Sequence, residues 1–175
     1  MTMTITEGLK KLRLIEKRIL KNCTEIDKYS SILSVEKPIF DTEAKQREEV
    51  AKLIQANVDL ELEYCRIKAR VDYTNLVTYV QIDDDNRTIH DWLILLRKTG
   101  SLLIRTYNSL STQEARRNQS RYSSSNDKTP TVIRLYDENE KRSGQRKWED
   151  LTSGKTIEGR LEVINATTEL LIPPE

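Results

Sequence analysis

The stretch Thr42–Tyr79, which contains neither glycine nor proline, constrains the fold more than any other feature of the sequence. Apolar side chains and one asparagine recur along it at alternating steps of three and four residues, at Val50, Leu53, Asn57, Leu60, Tyr64, Ile67 and Val71. This spacing is close to the coiled-coil period of about 3.5 residues and predicts a helix with one continuous seam. A second apolar strip lies beside the seam and consists of Ile54, Val58, Leu62, Cys65 and Ala69. A helix with two such strips has at least two packing partners.

Asn57 is the polar residue of this seam. An asparagine at such a position often fixes the register or the oligomeric state of a coiled coil, at some cost in stability. The alternative is a side chain that meets solvent or a loop. Asn57 is therefore a candidate interface residue.

The composition suits long amphipathic helices with wide solvated faces. Of the 175 residues, 37% are apolar and 33% are charged. The net charge of +1 gives no bulk attraction to nucleic acid or anionic lipid. No apolar run approaches the ~18 residues of a membrane span, and the N-terminus lacks the apolar stretch of a signal peptide. We therefore expect a cytoplasmic protein, with a virion as the alternative location.

Start and stop signals divide the rest of the chain. Thr4 and Glu7 have the spacing of a capping box and predict a first helix over about 4–30. Pro38 lies in the following linker, and the long helix then covers about 42–79. A third helix is predicted over about 88–117, where Gly100 allows a close crossing or a mild kink.

The last third of the chain is less regular. Thr131–Tyr136 is β-branched and alternating, which predicts a β arm over about 121–136. Its partner is either the stretch around Tyr122, across a hairpin, or a neighbouring subunit. A final helix is predicted over about 138–165, although its glycines weaken it and Thr156–Ile164 also alternates like a strand. The tail, 167–175, is expected to be extended.

These elements predict a mainly α fold. We expect one domain over 1–175, built as an elongated antiparallel bundle of three to four long helices with a short β arm or hairpin before the last helix.

No pattern in the sequence indicates catalysis, a cofactor site or a metal site. The run Asp83–Asn86 lacks the later ligands, the glycine and the closing glutamate of a calcium loop. His90 is the only histidine and sits in the first turn of a predicted helix. Cys23 and Cys65 are expected to be small core residues. We therefore expect a protein that is not an enzyme.

Four segments carry a resemblance to a known family. The segment Val71–Thr78 is similar to an Asn-Arg-Thr-Asn-x-x-Thr motif, and Asn86–Ile89 is similar to a Gly-Arg-Thr-Leu turn. Arg121-Tyr122-Ser123 matches an Arg-Tyr-Ser arm, and Asn165–Leu170 is similar to a closing Asn-Trp-Thr-Thr-Glu-Leu. In these features the chain resembles the septicolysin-like family of small helical bacterial proteins.

The resemblance implies that the final segment is a helix. It also implies a set of candidate motif residues: Thr74, Asn75, Arg87, Thr88, Arg121, Tyr122, Thr167 and Thr168. The sequence departs from the family pattern at Asn86, which replaces the turn glycine, and at Ala166, which replaces the tryptophan.

The pattern of long striped helices favours a structural or assembly protein that forms homo-oligomers and packs on other protein subunits. A component of a large particle, such as a phage virion, is one such role. The first alternative is a nucleic-acid-associated module that uses basic side chains and one aromatic side chain: Arg87, Arg116, Arg117, Arg121 and Tyr122. The second is a membrane-active protein, as the cytolysin name of the resembled family suggests.

Overall fold

A computed structural model of the chain describes residues 2–122, 130–153 and 156–174. The fold is mainly helical and includes a small antiparallel hairpin. The elements are, in chain order, α1 (Ile5–Tyr29), α2 (Glu43–Val77), β1 (Tyr79–Ile82), β2 (Asp85–Thr88), α3 (Ile89–Ile94), a π-helix (Leu95–Thr99), α4 (Gly100–Asn108), α5 (Gln113–Tyr122), α6 (Glu138–Ser153) and α7 (Thr156–Thr167).

The chain divides into two compact units, where the sequence predicts one domain over 1–175. The first unit consists of the described residues of Met1–Thr78 and Val163–Glu175, and the second unit is formed by those of Tyr79–Glu162. The boundary after Thr78 carries no glycine, proline or serine-rich linker. Composition therefore gives no sign of it.

Helices α1 and α2 form the first unit as an antiparallel pair. Gly8, near the start of α1, lies against Val71 and Ile67, near the end of α2. The predicted seam of α2 is buried or half-buried along its length, which confirms the interpretation of its spacing. The buried apolar side chains of this pair are Ile5, Leu12, Ile15, Ile67 and Val71.

Both helices begin where the sequence predicts. Thr4 and Glu7 form the complete capping box of α1, and the Thr42 side chain accepts a hydrogen bond from the Lys45 amide at the start of α2. The connection between them is closed by Gln46, whose side chain is buried. Gln46 Nε2 donates to the Tyr29 carbonyl (2.8 Å), and its Oε1 accepts from the Ile39 amide (2.9 Å).

The tail joins the first unit through backbone hydrogen bonds. The Ile5 amide donates to the Thr168 carbonyl (3.0 Å), and the Leu170 amide donates to the Met3 carbonyl (2.7 Å). Leu170 is buried, with its side chain against Gly8. The tail from Thr168 to Pro174 is non-helical, as the sequence predicts, and it contributes Leu170 to the core.

The second unit begins with the hairpin, in which Tyr79 pairs with Thr88 and Ile82 pairs with Asp85. Asp83 makes the turn with φ of 51°, a left-handed conformation that aspartate tolerates. Trp92 is fully buried, and its indole Nε1 donates to the Val80 carbonyl (2.9 Å). This bond holds the first turn of α3 to the hairpin.

Helices α4 and α6 pack closely because glycine lies at two of their contacts. A Cβ on Gly100 would stand 2.3 Å from Thr152 Cγ2, and one on Gly144 would stand 2.3 Å from Tyr107 Cε1. Only a residue without a side chain fits at such distances. The close crossing predicted at Gly100 is therefore present.

The third helix, predicted over 88–117, is interrupted. A π-helix occupies Leu95–Thr99, and α4 ends before Ser109. The Ser109 amide and hydroxyl both donate to the Arg105 carbonyl, at 3.0 and 2.9 Å. Serine and threonine side chains compete with the helical backbone in this way, and α5 starts afresh after Thr112.

No strand occurs among the described residues of the β arm predicted over 121–136. Arg121 and Tyr122 end α5, residues 123–129 lie outside the described residues, and 130–137 contain no strand. Ile133 is 77% exposed and Leu135 is 93% exposed, so this alternating segment has no strand to pair with among the described residues. A strand needs such a partner, and the hairpin forms instead at Tyr79–Thr88.

The final segment is helical, which settles the choice between helix and strand for Thr156–Ile164. At the start of α6, the Asp137 side chain accepts hydrogen bonds from the Asn139 and Glu140 amides. The helix predicted over 138–165 is described as two pieces, α6 and α7, and α7 continues to Thr167. Gly154 lies outside the described residues.

Candidate assembly surface on the second helix

The second apolar strip of α2 is exposed to solvent. Ile54, Val58 and Leu62 are 51%, 49% and 50% exposed, and Cys65 and Ala69 are exposed as well. We call these five residues the outer strip. The surface face of a helix is ordinarily polar, so an apolar strip there is a candidate contact surface.

Charged side chains border the outer strip on both sides. Asp59 and Arg66 lie along one side, and Glu61 and Lys68 lie along the other. All four are exposed. Lys68 forms an ion pair with Asp72, one turn further along α2.

The seam and the outer strip lie on opposite faces of α2, and not side by side as predicted from the sequence. The seam is completed by polar pairs. Asn22 Nδ2 donates to Asn57 Oδ1 (2.9 Å), and Asn57 Nδ2 donates to Cys23 Sγ (3.7 Å). Further along, Tyr64 Oη donates to Glu16 Oε1 (3.1 Å), which raises the pKa of the Tyr64 phenol. Asn57 therefore pairs with an asparagine of α1 within the chain, and the spacing of α2 alone could not identify that partner.

Neither cysteine is a core residue, so this prediction is wrong. Cys23 and Cys65 are both exposed free thiols. The buried positions of α1 follow each other at alternating steps of three and four residues. This alternation brings Asn22, one residue before Cys23, into contact with α2. A hydrogen bond from Cys65 Sγ to Glu61 Oε1 raises the pKa of the Cys65 thiol.

Thr74 and Asn75 lie where α2 meets the tail. Thr74 is fully buried, and its hydroxyl donates to the Arg70 carbonyl (2.7 Å) while accepting from the Leu171 amide (2.9 Å). Arg70 Nη2 in turn donates to the Leu170 carbonyl (2.7 Å). The half-buried Asn75 has a buried Oδ1 without a hydrogen-bond partner among the described residues. Thr74 thus acts as an anchor for the tail.

Arg87 and Thr88 have structural contacts in the hairpin. Thr88 is the N-cap of α3 and forms a capping box with Asp91. The Arg87 guanidinium lies 5.3 Å from the centre of the Trp92 ring, and its Nε donates to Asp85 Oδ2 (2.8 Å). This bond lowers the pKa of the Asp85 carboxyl.

The remaining motif residues lie outside α2, in or next to α5 and α7. Thr167 Oγ1 donates to the Val163 carbonyl (3.2 Å), and Thr168 contributes its carbonyl to the tail contact with Ile5. Arg121 and Tyr122 end α5, and the Tyr122 side chain lies outside the described residues.

Three arginines of the predicted nucleic-acid module lie on α5. Arg116, Arg117 and Arg121 are exposed there. Arg117 Nη1 is 3.6 Å from Glu114 Oε2, so a carboxylate accompanies this basic group.

Within the described ranges, no three histidine, cysteine or acidic side chains converge as a metal site would require. None of the helices described there combines the length and the apolar character needed to cross a membrane.

Comparison of the chain with models of protein families, with curated proteins and with solved structures gave no match. The resemblance to the septicolysin-like family therefore stays a prediction from the four sequence segments.

Proposed function

We propose that this protein is a non-enzymatic structural or assembly protein that self-associates and packs on other subunits. The observation that carries the proposal is the exposed outer strip of α2. Its three largest apolar side chains are each about half exposed, and they follow one another at steps of four residues on one face. Burying them against a second protein would remove this apolar area from water. The binding free energy would gain about 25 cal/mol for each Å² buried.

The rest of α2 supports this role because its other face is already occupied. The seam packs on α1, and Thr74 and Arg70 hold the tail. The outer strip is thus additional to what the first unit needs for its own core. In an assembly, a neighbouring copy would pack its own helix against this free face of α2. A large particle such as a phage virion is one setting for such an assembly.

The experiment is size-exclusion chromatography with light scattering at micromolar concentrations. A single chain has a mass of 20.4 kDa, and we expect a multiple of it. L62E places a charge in the middle of the outer strip and should shift the protein to the monomer. L14E is the matched control, because Leu14 is likewise 50% exposed but lies on α1, outside the strip.

A wild-type protein that stays monomeric throughout this concentration range would contradict self-association. Equal dissociation of L62E and L14E would contradict the assignment of the interface to the outer strip.

A further inference from the structure

We propose that the partner of the outer strip is α2 of a second copy, running antiparallel, with Leu62 of each copy opposite Cys65 of the other. This inference rests on the proposed function and adds the partner and the register. Two α1–α2 pairs joined in this way would place four long helices in a row, with the two α2 helices in the middle and one α1 on each outer side.

Four of the five residues of the outer strip, all except Ile54, belong to a longer coiled-coil repeat on this face. Exposed residues follow each other along it at alternating steps of four and three: Ala51, Gln55, Val58, Leu62, Cys65, Ala69, Asp72 and Leu76. This repeat spans almost four heptads, and every member is exposed. Such a face matches another helix with the same period, which the outer face of a second α2 provides.

The charges beside the repeat are self-complementary in one antiparallel register. Antiparallel helices bring the same side of each strip together. With Leu62 opposite Cys65, one side brings Asp59 near Arg66 of the second copy, and the other side brings Glu61 near Lys68 of the second copy. The two-fold symmetry makes each contact twice, so all four charged positions meet an opposite charge.

The neighbouring antiparallel registers bring like charges together. A shift of one heptad in one direction sets Asp59 against Asp59 and Glu61 against Glu61. The opposite shift sets Arg66 against Arg66 and Lys68 against Lys68. Like charges in facing positions are destabilising, so these registers are disfavoured.

A parallel pairing is disfavoured by Asp72. In register, it would place Asp72 in the interface opposite its own copy, and Gln55 opposite Gln55. The antiparallel register places Asp72 opposite Gln55 instead. A carboxylate facing an amide can accept a hydrogen bond, whereas two facing carboxylates repel each other.

Charge reversal tests the pairing. In D59K/E61K all four charged positions become basic, and in R66E/K68E all four become acidic, so each variant should dimerise at least ~10-fold more weakly than the wild type. A mixture of the two variants restores four opposite-charge contacts, and we expect it to form a heterodimer. Recovery in the mixture also shows that both variants are folded. Failure of the mixture to associate, with wild-type protein dimeric, would overturn the pairing.

Disulfide formation tests the direction. In a C23S/C65A background, Q55C and D72C are prepared as separate proteins and oxidised alone and together. The antiparallel register predicts a cross-linked dimer only in the mixture. Cross-linking of D72C alone would indicate a parallel pair and overturn the inference. Cross-linking in none of the samples, with the background variant dimeric, would overturn the register and leave the proposed function standing. A monomeric wild type would contradict both.

Discussion

At the scale of single residues, Arg87 connects the hairpin to α3. Its guanidinium bonds Asp85 on the same strand and lies over the buried ring of Trp92 on α3. A cation over an indole is favourable by about 0.5–1 kcal/mol at exposed sites. Arg87 therefore joins strand β2 to the helix that follows it.

The Asp85 carboxyl gives the hairpin a pH-dependent stability. Because Arg87 lowers its pKa below the ordinary value of 3.8, the contribution is complete above pH 3.8 and disappears as the pH falls through the folded-state pKa. We expect D85N to unfold at lower urea concentration than wild type at pH 7, with a difference that shrinks below pH 3.8. Trp92 fluorescence in a W148F background would follow the transition.

D84N is the control, because the neighbouring Asp84 is exposed at the turn of the same hairpin. A D85N difference of the same size at pH 7 and at pH 2 would refute the assignment.

Contacts between residues close in the sequence can be predicted from it, and contacts between distant residues cannot. Thr4, Thr42 and Thr88 are predictable as caps because each bonds a backbone amide three residues on. The pairing of Asn57 with Asn22 joins residues 35 positions apart. It depends on how two helices align, and the spacing within one helix does not contain that information.

At the scale of elements, helical periodicity identifies α1 and α2 closely, since each has a regular seam. It does not identify the hairpin, because Tyr79–Thr88 is short and rich in acidic residues, which are uncommon in strands. The outer strip is recognisable as apolar, but its exposure depends on what packs against α2. The sequence alone could not show whether the second packing partner of α2 lies within the same chain.

Gly144 and Gly159 provide a test of the packing between α4 and α6. An alanine at position 144 would collide with the ring of Tyr107, so we expect G144A to lower the free energy of unfolding by ~1–3 kcal/mol. At Gly159, in α7, a Cβ would have no described atom within 4 Å apart from those of the neighbouring residues and of the backbone of its own helix. G159A should therefore raise that free energy by ~0.5–1 kcal/mol. Urea unfolding measures both.

The two substitutions add the same methyl group to a helical glycine, so intrinsic helix propensity favours both equally. A stabilised G144A would show that α4 and α6 do not approach as closely as described.

At the scale of the whole molecule, the first unit is built from both ends of the described chain, and the second unit is one continuous segment between them. Leu170 of the tail is therefore as much a part of the first core as Ile5 is. Composition could not reveal this, because the sequence of the tail resembles an ordinary extended terminus.

Truncation tests the role of the tail. Removing residues 168–175 exposes the site of Leu170 and breaks its backbone bonds, and we expect it to lower the free energy of unfolding by ~3 kcal/mol. Removing residues 172–175 is the control, because Ile172 is 78% exposed. Hydrogen exchange at the start of α1 should rise only in the longer deletion. Equal effects of the two deletions would contradict a structural tail.

This arrangement has a consequence for biosynthesis. The ribosome releases α1 and α2 first, then all of Tyr79–Glu162, and only afterwards the residues that bond Met3 and Ile5. The pocket for Leu170 beside Gly8 thus stays unfilled while the intervening unit is translated. Until then, the nascent pair of α1 and α2 lacks the backbone hydrogen bonds of the tail. The order of translation therefore sets the order in which the two units reach their final stability.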